Sequence, residues 1–318
     1  MARWLGKAAL QKGMSALPAA ERVNYLFQRQ VSRSLPPSEA GFRRKFDRAV
    51  SHLEAYAEHG PPRPLGDAVF YEFGAGWDLT IPLAYWALGV ERQILVDIHS
   101  NLRFELLNGT IARLRRSEKL EGAAGRALRR PGEADVGSAQ DLEERFGIAY
   151  VAPRDARATG LDAASVDFVS NTNTLEHIPA ADIGPILAEC LRLLRADGIM
   201  SSRIDLRDHY SYFDRSLSPY NFLRYSDRAW RLFNSRLLFQ NRLRRPDYLR
   251  AFADAGFEVV SEAPSRPGDG ELASLRELEV APRYRGYALE DLAVTALVVV
   301  VRRASPRNPV SDTGPSPA

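Results

Sequence analysis

Residues 68–78 read AVFYEFGAGWD. The β-branched and aromatic run Val69–Phe73 has the makeup of a buried strand, and it stops at two glycines, Gly74 and Gly76. Glycine lets a chain turn tightly and lets backbone approach a ligand with no Cβ between them. The stretch that follows, LTIPLAYWALGV (79–90), is apolar and reads as a helix. Strand, glycine turn and helix, in that order, begin a β-α-β unit, and the chain repeats the alternation.

Downstream, RQILVDIH (92–99) reads as a second strand ending in Asp97, and NLRFELLNGTIARLRRSEKL (101–120) as a helix. GIAYVAPRD (147–155), SVDFVSN (165–171) and GIMSSRIDL (198–206) read as the third to fifth strands. The helix PAADIGPILAECLRLLRAD (179–197) stops at Gly198. DYLRAFADAGFEVVSEAPS (247–265) gives a helix, a glycine stop and a strand, and LAVTALVVVVRR (292–303) is a last, fully apolar strand. Such strands alternating with helices imply a parallel sheet covered on both faces. Sheets of this kind bind ligands beyond the carboxyl ends of their strands, near the point where strand order reverses. Upstream, residues 1–60 have helical periodicity and read as an N-terminal cap, joined through GPPRPLGD (60–67) to a domain spanning 61–303. Residues 121–145, rich in Gly, Ala and charge, read as an insertion or mobile surface loop. Residues 207–250 read as an inserted helical lid, and 304–318, rich in Pro, Ser and Gly, as a disordered tail.

The composition bounds the function class. With 318 residues and 45% hydrophobic content, the chain can bury a sizeable core. Its 43 basic and 40 acidic residues leave a net charge of +3, which does not force a nucleic-acid reading. Residues 207–250 are uneven, with ten Arg, four Asp and ten aromatics. Surfaces of that kind bind RNA, or are helices packed over a pocket with Arg stems on apolar surface; nucleic acid is the less favoured partner. The single cysteine, Cys190, lies on the apolar face of a helix and reads as a buried structural thiol. Lys7 and Lys12 interrupt any secretory core, and Ala293–Val301 is too short to span a bilayer as a helix, so a cytoplasmic location without a membrane span is expected.

The strand ends carry the candidate binding groups. Glu72 precedes the glycine turn, where a carboxylate can attract a cationic ligand. Asp97 ends the second strand, where a carboxylate can take both hydroxyls of a ribose. A dinucleotide site uses the same ribose contact but adds a third glycine. Here the pattern runs Gly74-Ala75-Gly76-Trp77-Asp78-Leu79; the third glycine is missing, and Asp78 stands where a pyrophosphate needs positive potential. The residues therefore favour a nucleoside with a cationic centre over NAD.

These motifs resemble those of the class I S-adenosylmethionine-dependent methyltransferases. EFGAG is similar to that family's first motif and LVDIH to its second. PRDARATGLDAASVDFV resembles its acidic third-strand end, SNTNTLEHI its fourth-strand motif, and LRLLRADGIM the turn before its fifth strand. The resemblance covers about residues 66–303, with Asp78 in place of a frequent glycine and the long 121–145 segment as departures. It implies an α/β fold: a seven-stranded Rossmann-like doubly wound sheet, last strand antiparallel, with N-terminal and inserted helices forming a cover. It also implies S-adenosylmethionine as cofactor. Glu72 would attract the methionyl amino group, Gly74, Ala75 and Gly76 would form the backbone floor, and Asp97 with Ile98 would hold the ribose side. Asp155 would accept from the adenine amino group with the Ala156 amide near the ring, and Asn171 would line the methionine side. Taken singly, Asp97 and Asp155 read as a helix cap or a turn residue, and it is their order and spacing together that favour the cofactor.

For a hydroxyl or amine acceptor a base must take a proton. His177 and His209 follow strand ends, and imidazole is the side chain suited to such a role near neutral pH. His177 also reads as a turn residue before Pro179, so His209, just past the fifth strand, is the stronger candidate. Tyr210, Tyr212, Tyr220, Tyr225 and Trp230 offer faces for a sugar or aromatic ring, with ordinary lid packing as the alternative. No metal site is expected: the chain has no His-x-His or Glu-x-x-His pair and one Cys. The expected activity is methyl transfer to a hydroxyl or amine of a small or medium-sized acceptor, of glycan or secondary-metabolite type. An RNA methyltransferase or RNA-binding module, and a non-catalytic regulatory protein that binds the cofactor, are the alternatives.

Overall fold

A computed structural model describes residues 3–15, 25, 35–117, 120, 128–265 and 267–305. Seven strands form one sheet: β1 (Val69–Phe73), β2 (Arg92–Val96), β3 (Ile148–Val151), β4 (Val166–Thr172), β5 (Leu194–Asp205), β6 (Phe257–Pro264) and β7 (Ala296–Arg303). Their order is β3-β2-β1-β4-β5-β7-β6. The strands β1 to β5 run parallel, and β7 runs antiparallel to both β5 and β6. Strand order reverses between β1 and β4, and sheets of this kind bind ligands beyond the carboxyl ends at such a reversal. The sheet is Rossmann-like and doubly wound, with its last strand reversed.

Alternation along the strands sorts the core into two layers. Phe70 and Phe168 point to one face, where Phe42, Phe46, Leu53, Leu83, Leu107 and Leu142 meet them. Those residues come from α2 (Glu39–His59), α3 (Thr80–Ala87), α4 (Phe104–Arg116) and α5 (Ala139–Phe146). Tyr71, Val169 and Met200 point to the other face, against Ile183, Leu187 and Cys190 of α6 (Ala180–Leu193) and Phe252 of α7 (Arg245–Asp254). Cys190 is fully buried, and burial pushes its thiol well up, as a structural role requires.

The expected cover divides in two. The helix α2 lies in the layer on one sheet face, because its stripe Phe42, Phe46, Ala49, Leu53 and Tyr56 recurs at helical spacing and is buried against Phe70 and Phe168. The helix α1 (Arg3–Ser15) packs elsewhere: Trp4 inserts among Tyr210, Tyr225 and Phe233, and Lys12 donates to the carbonyls of Arg231 and Asn234. The segment expected as a loop over 121–145 is corrected at its end. Ser138 and Asp141 form a reciprocal cap, and Leu142 and Phe146 bury the apolar side of α5. Residues 121–127 and 306–318, which include most of the expected tail, lie outside the described residues.

Candidate functional site

The glycine turn follows β1 at the point where strand order reverses. Gly74 has φ +78° and Gly76 φ +76°, both in the left-handed region. A Cβ on Gly74 would lie 2.4 Å from Thr174 Cγ2, whereas one on Gly76 would meet nothing within 4 Å. Gly74 thus lets the turn close against the β4 end, and Gly76 faces space that a ligand can fill. Ala75 is half-buried between them.

Glu72, one residue before the turn, is 4% exposed, and its Oε2 has no hydrogen-bond partner. Burial pushes its carboxyl up to about 8, against the opposing pull of Lys45. Lys45 of α2 is itself held by Asp78, whose two oxygens lie 2.9 and 2.7 Å from the ammonium. Asp78 also accepts from the Thr80 backbone and hydroxyl, which pins the start of α3. The place of the missing glycine is therefore a neutralised loop anchor. The backbone strain falls on the next residue, buried Leu79, at φ +46°.

The β2 and β3 ends continue the rim. Gly74 N donates to Val96 O at 2.9 Å and Arg154 N to Asp97 O at 2.8 Å, so residues 72–76, 97–98 and 154–156 are contiguous. Asp97 is buried, which raises its carboxyl, while the N–H groups of His99 and Gly76 favour its charge. Ile98 is 57% exposed at the rim, an apolar surface suited to one face of a flat ring. Ala156 is half-buried beside it in the fold order. Asp155 is differently placed in its bonding: Arg157 Nε and Nη2 hold its carboxylate, Arg157 continues to Asp182, and the carboxyl falls below its ordinary range.

Asn171 is fully buried inside β4. Its Nδ2 donates to Ser202 Oγ at 2.7 Å, and Oδ1 has no partner. The rim is instead reached by Thr172, Asn173 and Thr174, with Asn173 turning at φ +52°. Thr174 abuts the glycine turn, a contact that no spacing in the sequence announces.

Beyond these, the chain bends through a turn at Leu175–His177. Glu176 is 2% exposed with neither oxygen hydrogen-bonded, and burial lifts its carboxyl well above the ordinary range. His177 Nδ1 lies 2.7 Å from the Phe239 carbonyl. The ring's edge is exposed, yet surrounding protein and the facing His209 hold it down to about 4. His209, in the turn His209–Tyr212 after β5, places its ring centroid 4.9 Å from that of His177. Its Nε2 is 3.5 Å from Asp205 Oδ2, an oxygen that also accepts from Tyr212 Oη at 2.6 Å. The fold thus joins the two candidate histidines and adds Glu176 and Asp205. Against the expectation of no metal site, Glu176, His177 and His209 can present one ligand atom each within 4.8 Å of one another. The sequence pattern hides this because His209 arrives from a different strand.

The basic aromatic segment turns inward. Tyr210, Tyr220 and Trp230 are buried with Trp4 and Tyr284 in a third core, and Tyr225 packs at its edge. Arg244 is fully buried and donates to the carbonyls of Leu206, Leu292 and Val294. Arg242 donates to the carbonyls of Phe222 and Tyr225 and pairs with Asp227. Of the five rings expected as stacking faces, Tyr212 is the exposed one, at 60%, with Arg207 over it. Packing against α1 and the 267–293 region takes up the others as stacking faces.

Residues 131–202, from the approach to α5 into β5, match a family model described as a methyltransferase domain. No curated protein matches the chain. Among solved structures it resembles geranyl diphosphate C-methyltransferase from Streptomyces coelicolor A3(2), solved with Mg2+, geranyl diphosphate and S-adenosyl-L-homocysteine. That match has 12% identity, covers 85% of this chain and 86% of the other, and has a TM-score of 0.46. An S-adenosylmethionine-dependent methyltransferase from Mesorhizobium loti is 14% identical over 81% of this chain and 100% of its own, at a TM-score of 0.41. At these scores the acceptors of those proteins have no bearing on this one. Among the described residues no helix is long and apolar enough to cross a membrane.

Proposed function

We propose that this chain, which carries an S-adenosylmethionine-dependent methyltransferase domain of class I, methylates a hydroxyl or amine of a small or medium-sized acceptor, of glycan or secondary-metabolite type. The observation that carries the reading is buried Glu72, whose Oε2 has no hydrogen-bond partner, beside the open space at Gly76 on a rim shared with Asp97. A buried carboxyl with no partner is matched by a cationic ligand group, and the open glycine leaves room for it.

The residues fit the cofactor in stated roles. Glu72 binds its ammonium, the 74–76 backbone forms the floor, and Asp97 accepts from the ribose hydroxyls. Ile98 and Ala156 flank the adenine. Asp155 reaches the adenine amino group only by sharing its carboxylate with Arg157, and Asn171 acts from beneath the floor, through Ser202, in place of a direct contact. When bound, S-adenosylmethionine supplies a methyl group already activated on its sulfonium. The protein's task is then alignment of the acceptor, exclusion of water and handling of one proton. The acceptor enters over the β4 and β5 ends, with exposed Tyr212 as the face on which a sugar or ring rests. His209 Nε2 takes the acceptor's proton, and Asp205 steadies the resulting charge from 3.5 Å. His177 stands beside it as the second imidazole of the same pocket wall.

Calorimetry tests the cofactor half: S-adenosylmethionine binds, Asp97→Ala weakens it by about a hundredfold (two hydrogen bonds of about 1.5 kcal/mol each), and NAD does not substitute. Binding of NAD in its place ends the reading. Labelled cofactor in a cell extract, with mass identification of the product, gives the acceptor. With that acceptor, His209→Ala should retain cofactor affinity and lose roughly 10²–10⁴ in turnover; unchanged turnover removes His209 from the role.

A further inference from the structure

The cluster at the β4 and β5 ends contains more than a base needs. Glu176 is buried with no side chain donating to either oxygen, only the backbone N–H groups of Glu176 itself and Asp205 acting on its charge. Such a group is strongly disfavoured as an anion unless a cation meets it. Next to it, the Phe239 carbonyl accepts a hydrogen bond from His177 Nδ1, which fixes the tautomer and leaves the Nε2 lone pair free. A carbonyl on the far nitrogen is also how proteins hold an imidazole that ligates a metal. His209 has a buried Nε2 that faces Asp205 Oδ2 at 3.5 Å, and its own backbone N–H is fixed by Gln240 Oε1 at 3.0 Å. Three groups that can each present one ligand atom therefore converge from two loops, His177 held through Nδ1 and His209 through its backbone N–H.

We propose that Glu176, His177 and His209 bind one divalent transition cation of the zinc class. Two imidazole nitrogens and one carboxylate suit zinc, cobalt or iron better than magnesium or calcium, which prefer all-oxygen shells. Three protein ligands leave a position open for an acceptor oxygen, the arrangement of catalytic rather than structural zinc. The ligand atoms now lie within 4.8 Å of one another. Atoms sharing one zinc sit at most about 4 Å apart, so the side chains draw in on binding. His177, the exposed member of the three, gives the cation access from solvent. Asp205, beside His209, adds a second negative charge, and Arg48 of α2 is the cation facing both carboxylates. The His209 Nε2 lone pair serves a proton or a cation, not both. A bound cation thus replaces the imidazole as the group that acidifies an acceptor hydroxyl.

The test uses the full chain, untagged and stripped with chelator, with Co2+ and Zn2+ as probes. Wild type should bind one equivalent of Co2+ with the intense visible bands of a four- or five-coordinate site, and Zn2+ should displace it. Glu176→Gln, which preserves shape, and His177→Ala, at an exposed ring, should each weaken binding by about a hundredfold or more; His59→Ala, on α2 away from the cluster, should not. Retained S-adenosylmethionine binding certifies the fold of each variant and reports separately on the cofactor reading. Absence of stoichiometric Co2+ binding by wild type, or binding that survives both Glu176→Gln and His177→Ala, overturns the proposal while leaving methyl transfer standing.

Discussion

Glu72 shows how one residue couples burial to ligand binding. Its folded-state value of about 8 lies above the ordinary 4.5, so the ligand-free protein keeps a proton that the unfolded chain has released. Stability from this group is therefore full below pH 4.5 and is lost as pH rises through 8, at no more than about 1.4 kcal/mol per pH unit. Denaturant titrations at pH 5 and 7.5 should give a wild-type decline that Glu72→Gln largely lacks; parallel declines would mean the carboxyl is ionised throughout. Cofactor binding has the opposite sign, because an ammonium partner needs the carboxylate. Affinity for S-adenosylmethionine should climb between pH 6 and 7.5, by up to about tenfold per unit, and Glu72→Gln should flatten the slope. The carboxylate at the strand end is legible from position in the chain. Its lack of partners is not, since it depends on what α2, α3 and β4 bring near it.

At the scale of the element, the glycine turn makes two different demands that one motif conceals. Both glycines occupy left-handed backbone, which costs any other residue roughly 1–2 kcal/mol. Gly74 additionally faces Thr174, so Gly74→Ala should force β1 and β4 apart, lowering thermal stability and abolishing cofactor binding together. Gly76 faces open space, so Gly76→Ala should unfold only slightly earlier than wild type yet bind cofactor far more weakly. Thermal scans paired with calorimetry separate the two, and equal stability losses would refute the distinction. The β4 end teaches the same lesson. A row of small polar residues after an apolar strand suggests a ligand-facing rim, but β4 is buried from Val166 through Asn171 and only Thr172 to Thr174 beyond them are partly exposed.

For the molecule as a whole, the lid is a third core and not a loose flap. The ring of Trp4 sits 5.4 Å from Tyr210 and 5.0 Å from Phe233, which ties α1 to the segment after β5. Trp4→Ala should cost about 3 kcal/mol of that docking. Hydrogen exchange should quicken over residues 209–234 while β4 stays protected, and uniform loss of protection would instead make α1 integral to the sheet domain. Since His209 belongs to the docked segment, turnover should fall more than cofactor affinity in this variant.

The sequence by itself determined the fold class, the alternation of strands and helices, and the row of strand ends at Glu72, Gly74, Gly76 and Asp97. Those features are local: backbone preference, side-chain alternation and glycine geometry act within a few residues and so are written in the chain. Only the tertiary structure decided that the aromatic segment spends its rings on packing, that Lys45 neutralises Asp78, and that Glu176, His177 and His209 meet. Each of these joins residues 32 or more positions apart, or turns on burial, and no spacing rule in the chain encodes which side chains a sheet will bring together.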